Sequence, residues 1–265
     1  DFERLAQQLD GKTKVVVVGA SLQEDEVVRL LRRTTLDHLI ASASGDSDDY
    51  ELVVTSVKLL RGDDIFGLEK YLAWGVLVHE RTVLDYHDKR NAIDDLAEFS
   101  RDVGTRRQMI IRIESVADEL LMNAMYDAPA AHFGLPIQIG ERCQSGLGPI
   151  GGEPVLLRFG CDGRHFALSV RDNYGKLGKE QILESLARAR AERGNPKAVS
   201  AGGTRNSGLG LYFVLCSVTR FVANVDPGRA TEVIALFDIR AAGRDIQSCT
   251  RSLHVFTTAR AGRVV

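Results

Sequence analysis

The stretch Glu119-Leu120-Leu121-Met122-Asn123-Ala124-Met125-Tyr126-Asp127-Ala128 decides how this 265-residue chain is read. Ile110, Ile113, Ala117, Leu120, Leu121 and Ala124 recur at helical spacing and predict a helix with one core-facing apolar stripe. Glu119, Asn123 and Asp127 stand four residues apart, so they share one face on the margin of that stripe. A carboxylate and an amide beside buried side chains are costly unless a ligand or partner meets them. Taken alone, the same residues also suit the exposed polar edge of an amphipathic helix.

Upstream, Tyr86 to Met125 is charged, helix-favouring and free of Pro, with Gly104 as the break between two helices. Before it, Lys14–Val18 reads as a buried parallel strand ending at Gly19, and Glu24–Arg33 as a short amphipathic helix. Leu36–Ala41, Tyr50–Val57 and Gly75–His79 read as further strands, and Ile65–Leu72 as helical. Such alternation predicts a parallel, doubly wound domain over residues 1–100, connecting helix included.

Downstream, residues 101–265 mix helices with an antiparallel sheet. After Pro129 a Gly/Pro-rich loop runs to Pro154. Pro154–Gly160 and His165–Arg171 alternate apolar and polar residues around Asp162-Gly163, a strong hairpin signal. Lys179–Arg193 is helical, Ser200–Ser207 is a Gly/Ser-rich loop, and Leu209–Arg220 is an apolar helix. Thr231–Ile239 and Ser252–Thr257 complete the strands.

Composition narrows the function classes. Hydrophobic residues make up 44% and charged residues 26%, ordinary for a globular chain and unlike a disordered or collagenous one. Lys and Arg number 34 against 36 Asp and Glu, so no broad cationic field exists to grip nucleic acid. Cys143, Cys161, Cys216 and Cys249 form no C-x-x-C pair and read as free thiols. Runs such as Val15–Val18 fall far short of the roughly 20 apolar residues that span a bilayer, and Asp1-Phe2-Glu3-Arg4 has no leader pattern. The expectation is a cytoplasmic protein without direct nucleic-acid contact.

Two more segments carry chemistry. In Ser169-Val170-Arg171-Asp172-Asn173-Tyr174-Gly175, an Asp at a strand exit can accept a hydrogen bond from a ligand amino group. By itself this is also a common strand-to-turn pattern. In Gly202-Gly203-Thr204-Arg205-Asn206-Ser207-Gly208-Leu209-Gly210-Leu211, a glycine-rich loop opens into a helix and offers backbone amides to phosphate oxygens. No Lys-Ser/Thr follows, so it is not a P-loop. No strand leads into it, so it is not a dinucleotide fingerprint either.

In this order the segments resemble the GHKL ATPase superfamily, which includes gyrase, heat-shock chaperone ATPases, sensor histidine kinases and anti-sigma-factor serine kinases. Glu119-x-x-x-Asn123-Ala124 resembles that family's N box. Val170-Arg171-Asp172-Asn173 resembles its first glycine box, and Gly208-Leu209-Gly210-Leu211 its second. The resemblance implies a two-layer α/β sandwich, the Bergerat fold, over residues 101–265, binding ATP with Mg²⁺. It implies Glu119 as general base, Asn123 as the metal ligand, and Asp172 with Thr231 on the adenine. Gly203, Gly208, Leu209, Gly210 and Leu211 would lie along the phosphates, Gly175 beneath the base, and Asp127 and Lys176 at the margin. Tyr174 and Lys176 depart from the pattern, standing where relatives carry glycines, and Asp127 places an acid where relatives often carry a base.

Chain length and helix spacing bring the resemblance nearest the anti-sigma-factor kinase branch. His87, within His87-Asp88-Lys89-Arg90-Asn91, lies too few positions before Asn123 for a phospho-accepting hairpin of two long helices. Residues 1–100 resemble a receiver domain lacking the acids a working receiver needs. The resemblance therefore implies a kinase that transfers the γ-phosphate to a regulatory protein partner such as a sigma factor or an anti-sigma antagonist, and leaves room for a homodimer. A nucleotide-binding module that regulates its partner without turnover is the alternative.

Overall fold

A computed structural model describes residues 13–19, 31–32, 36–41, 49–135, 151–193, 209–240 and 251–258. It is an α/β structure built on one mixed sheet. The strands are β1 (Val16–Gly19), β2 (His38–Ala41), β3 (His79–Val83), β4 (Val155–Cys161), β5 (His165–Asp172), β6 (Arg220–Asp226), β7 (Ala230–Asp238) and β8 (Ser252–Thr257). Their spatial order is β1-β2-β8-β6-β7-β5-β4-β3. Only β1–β2 and β6–β8 pair in parallel; the other neighbours are antiparallel.

Alternation along the central strands assigns the two faces. Phe166, Leu168 and Val170 of β5 and Val233, Ala235 and Phe237 of β7 face one core. That core is closed by α2 (Tyr86–Asp102), α3 (Arg107–Met122), α5 (Lys179–Arg193) and α6 (Leu209–Ser217). Ala167, Val222, Ile234, Leu236 and Phe256 face the opposite side, where Ile65, Leu68, Tyr71 and Leu72 cover them. The helix α1 (Asp49–Arg61) lies on this second face too.

The local signals behave as elementary chemistry requires. At the β4–β5 hairpin Gly163 takes φ +85°, while the Asp162 carboxylate accepts from the N–H groups of Arg164 and His165 at 2.9 and 2.7 Å. Asp85 caps α2 by accepting from the Asp88 N–H at 2.8 Å. Gly104, at φ +77°, turns the chain from α2 into α3, as its placement predicts.

The first hundred residues depart from expectation. Tyr50–Val57, read as a strand from its β-branched run, is the heart of α1. The strand expected at Gly75–His79 begins instead at His79 and pairs antiparallel with β4. Ile65–Leu72 contains only a short 3₁₀ turn, Leu68–Tyr71. The receiver-like reading is therefore corrected: β1 and β2 join the same sheet as everything else, through β8. The expected boundary near residue 100 falls within α2.

Helix α1 explains its own misreading. Its inward face is polar: Glu51, Thr55 and Lys58, at helical spacing, are buried. Lys58 Nζ donates to Asn224 Oδ1 at 2.6 Å and Tyr71 Oη at 2.8 Å, and lies 3.8 Å from the Phe256 ring centroid. Asn224 Nδ2 donates in turn to Glu232 Oε2 at 2.9 Å, which also accepts from Gly67 N–H at 2.8 Å. Glu51 meets Arg220 Nε at 2.8 Å and His254 Nε2 at 2.9 Å. Burial lowers the Lys58 ammonium from 10.5 to about 6. Buried ionic groups survive only when partners meet them, and here they fasten α1 to the sheet in one rotation.

Candidate functional site

Helix α3 does not continue unchanged through the quoted stretch. Asn123–Asp127 forms a π-helical turn, in which the Ala128 N–H reaches back to the Asn123 carbonyl, before α4 (Ala128–Phe133) begins. Pro129 supplies the reason. It has no N–H for the Met125 carbonyl, and its ring crowds that carbonyl, so the helix widens by one residue. The widening swings Asn123 and Asp127 onto one wall of a cleft of about 320 Å³. That size lies at the small end of the range of about 300–1,000 Å³ usual for small-molecule sites.

Of the residues singled out by sequence, Asn123, Asp127, Asp172, Lys176, Leu211 and Thr231 line this cleft together. Apolar walls come from Leu120, Ala124, Val170 and Val233. The floor is set by register: Asp172 at the end of β5 sits opposite Thr231 at the start of β7, both toward the α3 side. Asp172 is buried, and its Oδ1 accepts from the N–H groups of Tyr174 at 2.8 Å and Gly175 at 3.3 Å. Burial nevertheless dominates, raising its carboxyl from 3.8 to about 6. The buried Thr231 hydroxyl lies beside this carboxyl and, with the Thr231 backbone, favours its ionised form against the burial.

Glu119 lies outside the cleft lining and turns toward the first turn of α6. A Cβ at Gly210 would occupy the space of the Glu119 carboxylate, so this glycine makes room for the acid. Gly175, at φ +60°, is likewise a packing position: a Cβ there would collide with the backbone of Asp226, Gly228 and Arg229 in the β6–β7 turn. Leu209 opens α6, and Gly203 and Gly208 lie outside the described residues.

Sequence reasoning missed three polar contributors. Gln181, Glu184 and Ser185 of α5 line the cleft, although nothing in that charged helix set them apart. Tyr174, outside the cleft lining, packs against His132 and Phe133 of α4, with ring centroids 5.3 and 6.1 Å away. The tyrosine that breaks the glycine pattern thus belongs to an aromatic cluster. His87 is exposed on α2 and has no part in the cleft.

Among the described residues, no group of three or more His, Cys, Asp or Glu side chains is placed to hold a metal ion. The donor set fits only a hard cation that brings its own oxygens: Asn123, with Asp127 nearby, matches the one or two protein ligands typical of Mg²⁺ on a nucleotide. No helix among the described residues is long and apolar enough to cross a membrane.

No family model matches this chain, and no curated protein matches it. Among solved structures, a chain in the crystal structure of the SiaB–SiaC complex from Pseudomonas aeruginosa matches at 12% identity and a TM-score of 0.41, covering 72% of this chain and 99% of that one. The GHKL assignment and its anti-sigma-factor kinase branch are corrected: neither a family model nor a curated relative supports them. The motif matches do not amount to membership: Tyr174 and Lys176 break the first glycine box, and no family model recognises the remainder. Any role for a residue of the cleft must rest on its geometry.

Proposed function

We propose that the cleft binds ATP with Mg²⁺ and that the protein is a signalling protein acting on a regulatory partner protein. The observation that carries this reading is the Asp172–Thr231 pair at the cleft floor. A buried carboxylate seeks a donor, and the buried Thr231 hydroxyl beside it can give or take a further hydrogen bond. An aromatic ring with an exocyclic amino group next to a ring nitrogen answers both demands, and adenine is such a ring. Val170, Leu120, Ala124 and Val233 supply apolar contact for its faces. Asn123 would hold magnesium, which when bound would screen the phosphate charge. Lys176 adds one exposed cation, and the loop containing Gly203 and Gly208 supplies backbone amides in this reading. Residues 101–265 would form the nucleotide-binding part, and residues 1–100 the part that meets other proteins.

In the catalytic form of the reading, Glu119 takes the proton of a partner's hydroxyl as that oxygen attacks the γ-phosphorus and the bond to the β-phosphate oxygen breaks. One observation favours a binding-only form: the Glu119 carboxylate is turned against Gly210, outside the cleft lining. Calorimetric titration with ATP–Mg²⁺ and GTP–Mg²⁺ tests the site. Binding of ATP well above GTP, lost in Asp172→Ala, supports it; equal binding, or binding unaffected by the substitution, refutes it. Phosphate release or transfer by wild type and Glu119→Ala then separates the two forms.

A further inference from the structure

Helix α1 shows polar residues inward and apolar residues outward. Glu51, Thr55 and Lys58 are buried, with Val54 and Leu59 partly buried beside them, while Tyr50, Val53, Val57 and Leu60 are exposed, Leu60 at 86%. A helix normally turns its apolar stripe inward. Here the rotation is held by Lys58 on Asn224 and by Glu51 on Arg220 and His254, so the stripe cannot roll under without stranding buried polar groups. The chain thus spends buried polar bonds to keep four large apolar side chains in water, and such patches mark contact surfaces.

The spacing identifies the occupant. Tyr50, Val53, Val57 and Leu60 are separated by three, four and three positions, a two-heptad seam that reads the same in both directions about Thr55. Laid antiparallel on its own copy, the stripe sets Tyr50 against Leu60 and Val53 against Val57, each pair twice. Charge settles the direction. Asp49 opens the helix and Arg61, which also meets Asp64 at 3.5 Å, closes it, both exposed, so an antiparallel pair brings opposite charges to each end. A parallel pair would bring like charges together and align the helix dipoles unfavourably. Trp74, wholly exposed, flanks the N-terminal end of α1, because the Tyr50 hydroxyl donates to the carbonyls of Lys70 and Leu72 just before it.

We infer that α1 is the interface of a two-fold homodimer, in which the helix pairs antiparallel with α1 of a second copy of this chain. The inference does not rest on the nucleotide reading, since the cleft lies on the other face of the sheet. One helix face with a flanking Trp falls short of the about 800 Å² per partner of a standard complex, so the dimer is reversible and concentration-dependent.

Sedimentation equilibrium across micromolar concentrations tests it. Wild type should shift from monomer to dimer, and Val53→Glu/Val57→Glu should stay monomeric. Both positions are exposed, and unchanged circular dichroism confirms that the variant is folded. Arg61→Glu should weaken the dimer about three-fold at low salt, and added salt should narrow that gap. A wild type that stays monomeric throughout overturns the inference, whatever else covers the stripe. So does a dimer that survives Val53→Glu/Val57→Glu.

Discussion

Replacing Asp172 by Asn should make the unliganded protein more stable, and more so at neutral pH than in acid. Asp172 sits at the cleft floor with its carboxyl raised from 3.8 to about 6 by burial. Between those pH values the folded state holds a proton that the unfolded state has released. Wild-type stability therefore falls as pH rises from about 4 to about 6, and the loss persists above. The difference between 3.8 and about 6 corresponds to about 3 kcal/mol. An amide at this position is never charged. Its oxygen can accept the Tyr174 and Gly175 N–H bonds, and its N–H can donate to the Thr231 hydroxyl beside it. Urea unfolding of both proteins at pH 4, 5, 6 and 7 isolates the effect. Other groups that titrate in this window, Glu51 among them, are common to the two proteins and cancel in the difference. The gap should be small at pH 4 and approach about 3 kcal/mol at pH 7. A gap that does not change with pH, or one that closes toward neutrality, refutes the argument that an ionised, poorly compensated carboxylate waits in the cleft. The same substitution should weaken ATP binding about 10–100-fold, the loss of a hydrogen bond to a charged group.

Gly210→Ala should leave stability nearly unchanged, because the helix gain of about 1 kcal/mol opposes displacement of the flexible Glu119 side chain. If Glu119 is a base, phosphate transfer falls while calorimetric ATP affinity holds; unaltered transfer would show that its position is immaterial. Lys58→Met should flatten the pH dependence of stability in alkali. Buried Lys58, lowered to about 6, is neutral when folded and charged when unfolded, so its penalty shrinks as pH rises from about 6 toward 10. Wild type should gain up to about 1.4 kcal/mol per pH unit over the variant between pH 7 and 9 in urea unfolding, and parallel curves would contradict this. Asn123→Ala should reduce ATP affinity with Mg²⁺ present and leave it unchanged in a chelator; equal losses in both would remove the metal role.

The parts of the fold that the sequence announces are those where local pattern and final environment agree. Alternation in β4 and β5, the Asp162-Gly163 turn, the α2–α3 break at Gly104 and the ends of α5 and β8 all follow from nearest-neighbour chemistry. Helix α1 was hidden because its pattern is inverted. Tyr50–Val57, with Val53, Val54 and Val57, reads as a strand, and the polar residues that place the helix find their partners on β6, β7 and β8, far away in sequence. Tertiary contacts override propensity in such a case. Asn123, Asp172 and Thr231 were marked together only by the motif resemblance, and the structure sets them on one wall and the floor of the cleft. The π turn depends on a proline lying just past the quoted motif. The tie between Glu119 and Gly210 joins residues on different helices, and no spacing rule reaches across that gap.

The place of β8 has a consequence in time. It stands between β2 and β6, so β1 and β2 reach the rest of the sheet only through a strand made much later. The Ala41 N–H bonds the Ser252 hydroxyl across 211 positions. A ribosome adding 5–20 residues per second leaves the first two strands waiting about 10–40 s for their neighbour. During that interval β2 offers an open edge, and a nascent chain has reason to delay closing β1 and β2, or to shelter them, until β8 emerges.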